Sequence, residues 1–227
     1  MAAGSEGREG PMKPNKKELL LTSLVCLLPL LAGVILYPRL PETMVTHWSF
    51  SGEANGWMPR AAAIIVLPLL ILASHLVCFC AMSRDPKCAD SSAALRTVML
   101  WLCPVISLLC SAVTLGTGLG YEMNVALFVP VFVGVLFLII GNYLPKSRRN
   151  GTIGFKLPWT LASEENWDRT HRVAGFVWVA AGLLMLLAIP LRLHGPTVTV
   201  ALLVLAVGVP TLYSYLYYRR HERGEVK

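Results

Sequence analysis

Six long apolar runs, separated by short polar or charged islands, dominate the pattern of residues along the chain. The runs are residues 19–37, 61–82, 97–119, 123–144, 173–190 and 197–218. A helix that crosses a bilayer needs about 20 mainly apolar residues, and each run is close to that length. The pattern predicts an all-α fold, a polytopic membrane helix bundle with six transmembrane helices.

The first apolar run has a second interpretation, because Lys13, Lys16 and Lys17 precede it as basic residues precede the core of a signal peptide. A signal peptide has an apolar core of about 7–15 residues, and this run is longer. The residues that follow, YPRLPE, lack the small side chains of a cleavage site. We therefore predict that the first span is retained.

The spans form two halves with the same order: one span, a long loop, then two spans. Residues 16–120 are the predicted N-terminal half with an ordered outer loop at 38–60, and residues 121–220 are the C-terminal half with a cytoplasmic loop at 145–172. Residues 1–15 predict a disordered cytoplasmic tail and residues 221–227 a basic tail. Three spans in each half would invert the second half relative to the first, as in some small-solute transporters.

The composition and charge agree with a membrane protein. Charged residues make up 15% of the chain, where a soluble domain has about 25%, and the net charge is +7. With the N-terminus inside, 17 of the 20 Lys and Arg residues fall in inner segments, and only Arg39, Arg60 and Arg192 lie outside. This asymmetry predicts cytoplasmic termini in a multi-pass plasma-membrane protein. It also explains the basicity without direct binding to nucleic acid.

Ionisable and metal-binding residues are scarce within the spans. Five of the six cysteines lie in apolar runs and Cys88 lies in a predicted cytoplasmic loop, so we interpret them as small apolar side chains and predict no disulfide or metal site. His75 is the notable intramembrane polar residue and is a functional candidate by that position alone. A neutral histidine that hydrogen-bonds between helices is the simpler interpretation.

The outer loop reads PRLPETMVTHWSFSGEANGWMPR and is rich in turn residues and aromatics. Gly52 and the Asn55–Gly56 pair predict turns, because they tolerate a positive φ. Trp48, Phe50 and Trp57 have no span to fill. They suit either an interfacial plug at headgroup level or an exposed recognition surface.

The inner loop, from Gly141 to His171, carries more polar chemistry than a plain connector needs. Pro145 is predicted to stop the fourth helix, and the segment NGTIG predicts a reversal. Ser163 predicts an N-cap, with Glu164 and Glu165 in the first turn of the next helix. Glu164, Asp168 and His171 then share one helical face, which could hold a metal, relay protons or simply be solvated.

Two stretches of the chain resemble signatures of the SdpI-type family of bacterial membrane proteins. They are LPETMVTHWSFSGEANGWMPR in the outer loop and GNYLPKSRRNGTIGFKLPWTLASEENWDRTHRVAG from the inner loop into the fifth span. The resemblance covers roughly residues 15–220. It implies an immunity and signalling protein that resists a secreted peptide toxin and holds a cytoplasmic repressor at the membrane. From the apolar spans we expect membrane lipid as a further partner, and we predict no cofactor.

If those roles apply here, the two long loops are the expected contact surfaces. The expected toxin-facing residues of the outer loop are His47, Trp48, Phe50, Gly52, Gly56 and Trp57. The expected partner-facing residues of the inner loop are Asn142, Pro145, Arg148, Arg149, Asn150, Gly154, Lys156, Pro158, Trp159, Trp167 and His171.

Two other functions compete with immunity. A small transporter or permease component is supported by the loop-length symmetry, by His75 and by a proline in or at the end of each span. A membrane enzyme would use the Glu164, Asp168 and His171 face. The sequence contains no Ser–His–Asp order, HExxH pair or phosphate-cradling glycine loop, so we predict that the protein is not an enzyme.

Overall fold

The computed structural model describes residues 15–193 and 195–221. It contains six helices that are long and apolar enough to cross a membrane, so the chain is a multi-pass membrane protein and the predicted spans are confirmed. The predicted tails at 1–15 and 221–227 lie almost entirely outside the described residues. The long helices are α1 (Lys16–Leu36), α2 (Arg60–Arg84), α4 (Ala93–Gly118), α5 (Val125–Tyr143), α7 (Glu164–Ala188) and α8 (Pro196–His221).

Shorter elements join the long helices. A β-hairpin of β1 (Thr43–Trp48) and β2 (Ala54–Pro59) links α1 to α2, the helix α3 (Pro86–Ala89) links α2 to α4, and the helix α6 (Pro158–Ala162) precedes α7. Single turns of 3₁₀ helix follow α1 at Tyr37–Arg39 and α5 at Leu144–Lys146. We call the end that carries the β-hairpin the hairpin end, and the end that carries residues 144–163 and α3 the loop end.

Polar side chains begin the helices where the sequence leaves the apolar runs. The side chains of Asn15, Ser92, Asn124 and Ser163 each accept a hydrogen bond from a backbone N–H in the first turn of the helix that follows. These caps satisfy donors that a helix start leaves unpaired. The predicted Ser163 cap is confirmed, and α7 begins nine residues before the apolar run that predicted it.

The first three long helices pack on one another around a small polar interior. Helices α1, α2 and α4 each contact the other two. The His75 ring Nε2 lies 2.9 Å from Thr22 Oγ1 and joins α2 to α1, while Ser107 Oγ donates to the Cys26 carbonyl at 3.0 Å and joins α4 to α1. These hydrogen bonds satisfy groups that the surrounding apolar side chains could not.

The last three long helices are arranged differently, because α7 lies between α5 and α8. Helices α5 and α7 approach closely at two glycine pairs. A Cβ added to Gly175 would lie 2.8 Å from the Gly141 carbonyl oxygen, and one added to Gly182 would lie 2.6 Å from that of Gly134. Any larger side chain would push these helices apart. The loop-length symmetry of the two halves therefore does not extend to their helix packing.

The β-hairpin packs on the first half through one of its faces. Met44 is almost fully buried and belongs to a cluster with Leu40, Ala63 and Ile64. Leu115 of α4 and Leu119, which caps that helix, complete the cluster. The loop was predicted to be ordered but not to form strands. The Asn55–Gly56 pair, predicted as a turn, lies within β2, and the reversal occurs between Ser49 and Glu53.

Candidate functional site

The hairpin end presents exposed aromatic side chains on a rigid base. Phe50 and Trp57 are 67% and 58% exposed, and Tyr121, which follows α4 at the same end, is 67% exposed. Large apolar side chains exposed on one ordered surface are a mark of an interaction site. Of these three residues the sequence indicated only Phe50 and Trp57, because Tyr121 lies outside the outer loop.

His47 lies on the exposed face of the hairpin and is fixed there by its neighbours. Its ring Nδ1 hydrogen-bonds to the Asn55 side-chain oxygen across the two strands. Gly56 stands directly opposite, where an added Cβ would lie 2.8 Å from the Cβ of His47. His47 and Trp57 thus belong to the presented surface, and Gly56 allows the close approach of the two strands.

The hairpin turn also rests on the second half of the molecule. Gly52 has a φ of +86°, and an added Cβ would lie 2.9 Å from the backbone nitrogen of Ala126 at the start of α5. Only glycine suits this combination of conformation and space. Gly52 and the half-buried Trp48 therefore support the hairpin, whereas the exposed His47, Phe50 and Trp57 can meet a ligand.

The loop end is ordered by a buried polar network. The Asn150 side-chain oxygen accepts hydrogen bonds from the backbone nitrogens of Thr152 and Ile153 at 2.8 and 2.7 Å, and its amide donates to the Arg148 carbonyl at 2.7 Å. One buried side chain thereby closes the reversal that the NGTIG segment predicted. The Arg149 guanidinium donates to the last carbonyls of α6, at Leu161 and Ala162.

The first two turns of α7 are polar yet buried, because the loop folds over them. The His171 Nδ1 donates to the Trp167 carbonyl and its Nε2 accepts from the Phe155 backbone nitrogen at 3.0 Å, which identifies the neutral Nδ1-protonated tautomer. Trp167 stacks on the same ring at a centroid distance of 4.0 Å and donates its Nε1–H to the Ser147 carbonyl. Gly154, with a φ of +120°, lies so close to His171 that an added Cβ would overlap Nε2.

This geometry corrects part of the predicted partner-facing surface. Asn150, Trp167 and His171 are buried and hold the loop together, so they cannot meet a partner. The half-buried Trp159 donates to Ser214 Oγ at 3.0 Å and stacks on Tyr218, which fixes α6 to α8. Arg149 and Gly154 are half-buried. The predicted residues that remain exposed are Asn142, Pro145, Arg148, Lys156 and Pro158.

The predicted face of Glu164, Asp168 and His171 is not a joint site. The two carboxylates are exposed, whereas His171 is buried beneath the loop with both ring nitrogens bonded. Their spacing puts the three residues near one side of α7, but the loop covers Trp167 and His171 and leaves Glu164 and Asp168 exposed. Within residues 15–193 and 195–221, no group of three or more His, Cys, Asp or Glu side chains is placed to hold a metal ion.

The structure also reveals residues that tie the two halves together and that sequence reasoning missed. The Asp85 carboxylate at the end of α2 accepts hydrogen bonds from the Gly151 nitrogen at 2.6 Å and from the Thr152 hydroxyl at 3.1 Å. Ser91 Oγ accepts from the Arg148 nitrogen at 3.2 Å. The Asp85–Pro86 dipeptide signals a local helix start, since Asp85 also caps α3, but no sequence pattern points from it to residue 151.

Burial has a chemical consequence for the one cysteine outside the spans. Cys88 on α3 is 1% exposed and packs with Leu95 and Ile153. Burial, and to a smaller degree the nearby Asp85 carboxylate, raise the pKa of the Cys88 thiol. A buried thiol that resists deprotonation is a poor nucleophile, which supports the interpretation of Cys88 as a packing residue.

Comparison with known proteins finds two family models that match separate segments of the chain and one similar protein. A family model described as the SdpI/YfhL protein family matches residues 146–214, and one described as a domain of unknown function (DUF1648) matches residues 24–72. The chain is 28% identical over 210 residues to the immunity protein SdpI of Bacillus subtilis (strain 168), a match that covers 90% of this chain and 97% of that protein. No solved structure matches the chain.

Proposed function

We propose that the chain is an integral membrane immunity protein that protects a bacterial cell from a secreted peptide toxin, because it matches the SdpI/YfhL family model over residues 146–214 and is similar to immunity protein SdpI over 90% of its length. The structural observation that supports this role is the exposed aromatic surface of the hairpin end. Phe50, Trp57 and Tyr121 stand on an ordered scaffold, with His47 beside Trp57.

The surface suits a peptide ligand because it combines exposed aromatic side chains with an ordered backbone. Aromatic side chains bury a large area while losing few rotatable bonds, which is why they dominate binding hot spots. The hairpin is anchored beneath by Met44 and at its turn by Gly52, so it is already ordered before a ligand arrives. A preorganised surface avoids part of the entropy cost of binding.

A toxin-challenge experiment tests this proposal. The protein is produced in a sensitive bacterial host without a relative of its own, and the host is exposed to the purified peptide toxin that the family resemblance implies. Survival of the host supports immunity. Death of the host, with the protein shown to be folded in the membrane, would overturn the proposal for that toxin and leave transport as the leading alternative.

Variants then locate the surface. The triple variant Phe50→Ala, Trp57→Ala and Tyr121→Ala is expected to lose protection, because it removes the exposed aromatics without touching Met44 or Gly52. The matched control is Phe176→Ala, since Phe176 is an aromatic of 74% exposure on α7, away from the hairpin. Equal protection by the triple variant and the control would show that the toxin does not use this surface.

We also propose that the loop end faces the cytoplasm and holds a protein partner, a repressor in the signalling role that the resemblance implies. The exposed Lys156 and Pro158 precede the α6–α8 contact and are the residues best placed for it. The test measures how much of a tagged candidate repressor moves to the membrane after toxin is added. Recruitment that is unchanged in Lys156→Gln with Pro158→Ala would contradict this surface, and Arg192→Gln serves as the control at the opposite end.

A further inference from the structure

An apolar stripe on α5 leads directly into polar and basic side chains at the loop end. Val135 and Ile139 are 39% and 40% exposed on this helix, and Asn142 and Lys146 are exposed beyond them. The four residues are spaced by four, three and four positions, so they follow one side of the helix into the 3₁₀ turn. A stripe of this kind offers contacts for an acyl chain, followed by an amide and an ammonium at headgroup depth.

The basic end of this stripe is fixed in place by the rest of the fold. The Lys146 ammonium lies 5.0 Å from the centre of the Tyr143 ring, a cation–π distance that keeps the charge against the end of α5. The backbone of Lys146 accepts a hydrogen bond from Ser92, and that of Arg148 donates to Ser91. The two cations therefore lie at the junction where the loop meets the start of α4.

The positive charge at this junction is not neutralised by the protein. In the described part of the chain, Lys146 and Arg148 have no carboxylate partner, and the ion pair that does form joins Glu165 to Arg169. Residues 85–96 contain two acids, Asp85 and Asp90, and two basic residues, whereas residues 144–157 contain four basic residues and no acid. The junction therefore retains positive charge, which attracts a phosphate group.

We propose that the stripe and the junction together bind one anionic phospholipid, with an acyl chain along Val135 and Ile139 and the headgroup phosphate held by Asn142, Lys146 and Arg148. The apolar stripe is what favours a lipid over a soluble anion. The two halves touch chiefly along α4 and α5 and through this junction, so the lipid would sit at their boundary. The inference is independent of the proposed immunity function.

Native mass spectrometry of the full-length protein tests the proposal directly. The protein is released from bilayers of phosphatidylcholine with and without phosphatidylglycerol, and the retained phosphatidylglycerol is counted. The double variant Lys146→Gln and Arg148→Gln is expected to weaken retention about fivefold for each cation removed. The control, Arg39→Gln with Arg192→Gln, removes two cations from the hairpin end and is expected to retain the lipid as the unmodified protein does.

Two further measurements distinguish a lipid headgroup from a soluble phosphate as the ligand of this site. Glycerol 3-phosphate has the phosphate of the headgroup but no acyl chains, so it is expected not to displace the retained lipid. Displacement by glycerol 3-phosphate or by inorganic phosphate would assign the site to a soluble anion and overturn the proposal. Equal retention in both double variants, or no retention by the unmodified protein, would overturn it as well. Unfolding midpoints in phosphatidylcholine alone confirm that the variants are folded.

Discussion

The two ends of the molecule use the same kinds of residue for opposite purposes. At the hairpin end, Trp57 and Phe50 are exposed, and the charges among the described residues balance, with three basic and three acidic side chains. At the loop end, Trp167 is buried, Trp159 is packed on α8, and thirteen Lys or Arg residues face six Asp or Glu residues. The hairpin end exposes these aromatics on a surface of balanced charge, whereas the loop end packs its two tryptophans into the fold and carries an excess of basic residues.

The comparison shows that residue type alone does not distinguish a contact surface from a scaffold. Both loops are rich in tryptophan, proline and glycine, and both look like recognition segments in the sequence. They differ in what lies behind them. The hairpin packs through Met44 and leaves its aromatics free, whereas the inner loop uses Asn150, His171 and Trp167 to satisfy its own backbone.

The first test of this comparison asks which end of the molecule faces the outside of the cell. Each end is expected to be either fully labelled or not labelled at all. In a cysteine-free background, Ser51→Cys at the hairpin turn is expected to react with a membrane-impermeant maleimide in intact cells. Lys156→Cys is expected to react only after the cells are opened, because the charge asymmetry predicts that the loop end faces the cytoplasm. The reverse labelling pattern would refute the predicted orientation.

The second test compares two tryptophans and carries the largest expected effect on stability. Trp167→Ala removes a fully buried ring and its hydrogen bond to Ser147, so we expect a loss of about 3–5 kcal/mol. Trp57→Ala removes a ring that is 58% exposed, and a surface change of this kind costs about 0.5 kcal/mol or less. Unfolding of the purified proteins in mixed micelles measures both, and equal losses would contradict the assigned roles.

The third test compares two glycines that share an unusual backbone conformation. Gly154 and Gly120 have φ values of +120° and +89°, so alanine is strained at both, by about 1 kcal/mol. An alanine Cβ at position 154 would also overlap His171, whereas at position 120 nothing lies within 4 Å. Gly154→Ala is therefore expected to lower the unfolding midpoint more than Gly120→Ala, and equal midpoints would argue against a tight loop.

The fourth and smallest effect concerns the contact between the halves. Asp85→Ala removes two hydrogen bonds from the loop, both to Oδ2, and one from the Lys87 backbone nitrogen. Bonds to a charged group contribute about 1.5–3 kcal/mol at most when buried. Asp85 is half-buried, so we expect about 1–2 kcal/mol. Asp90→Ala, an exposed acid in the same connection, is the control. Hydrogen exchange of residues 148–155 should rise in the first variant only.

Much of the fold could be predicted from the sequence, because hydropathy reports directly on the cost of placing polar groups in lipid. All six spans were found, as was the N-cap at Ser163. That cap also predicted the start of α7 at Glu164 correctly. The apolar run alone begins nine residues later, since Asn166 and Thr170 are polar but are buried by the protein and not by lipid. Hydropathy cannot distinguish these two environments.

The strands and the tertiary contacts were less accessible to sequence reasoning. The Asn55–Gly56 pair has the composition of a turn, yet it lies in β2, because irregular pairing near His47 shifts the reversal back toward Ser49. The burial of His171 depends on a loop sixteen residues before it, and the Asp85 contact spans an even longer separation. Such contacts depend on helix packing, which a single sequence does not encode in any local pattern.

The hydrogen bonds of the inner loop also determine when it can close during biosynthesis. Translation delivers residues 144–163 before Trp167 and His171, and well before Ser214 on the last helix. Because chains emerge from the N-terminus, the loop leaves the ribosome without the partners that its backbone requires. Its closure therefore waits for the fifth and sixth spans to insert, and a chain released early would carry an open loop that cellular proteases can reach.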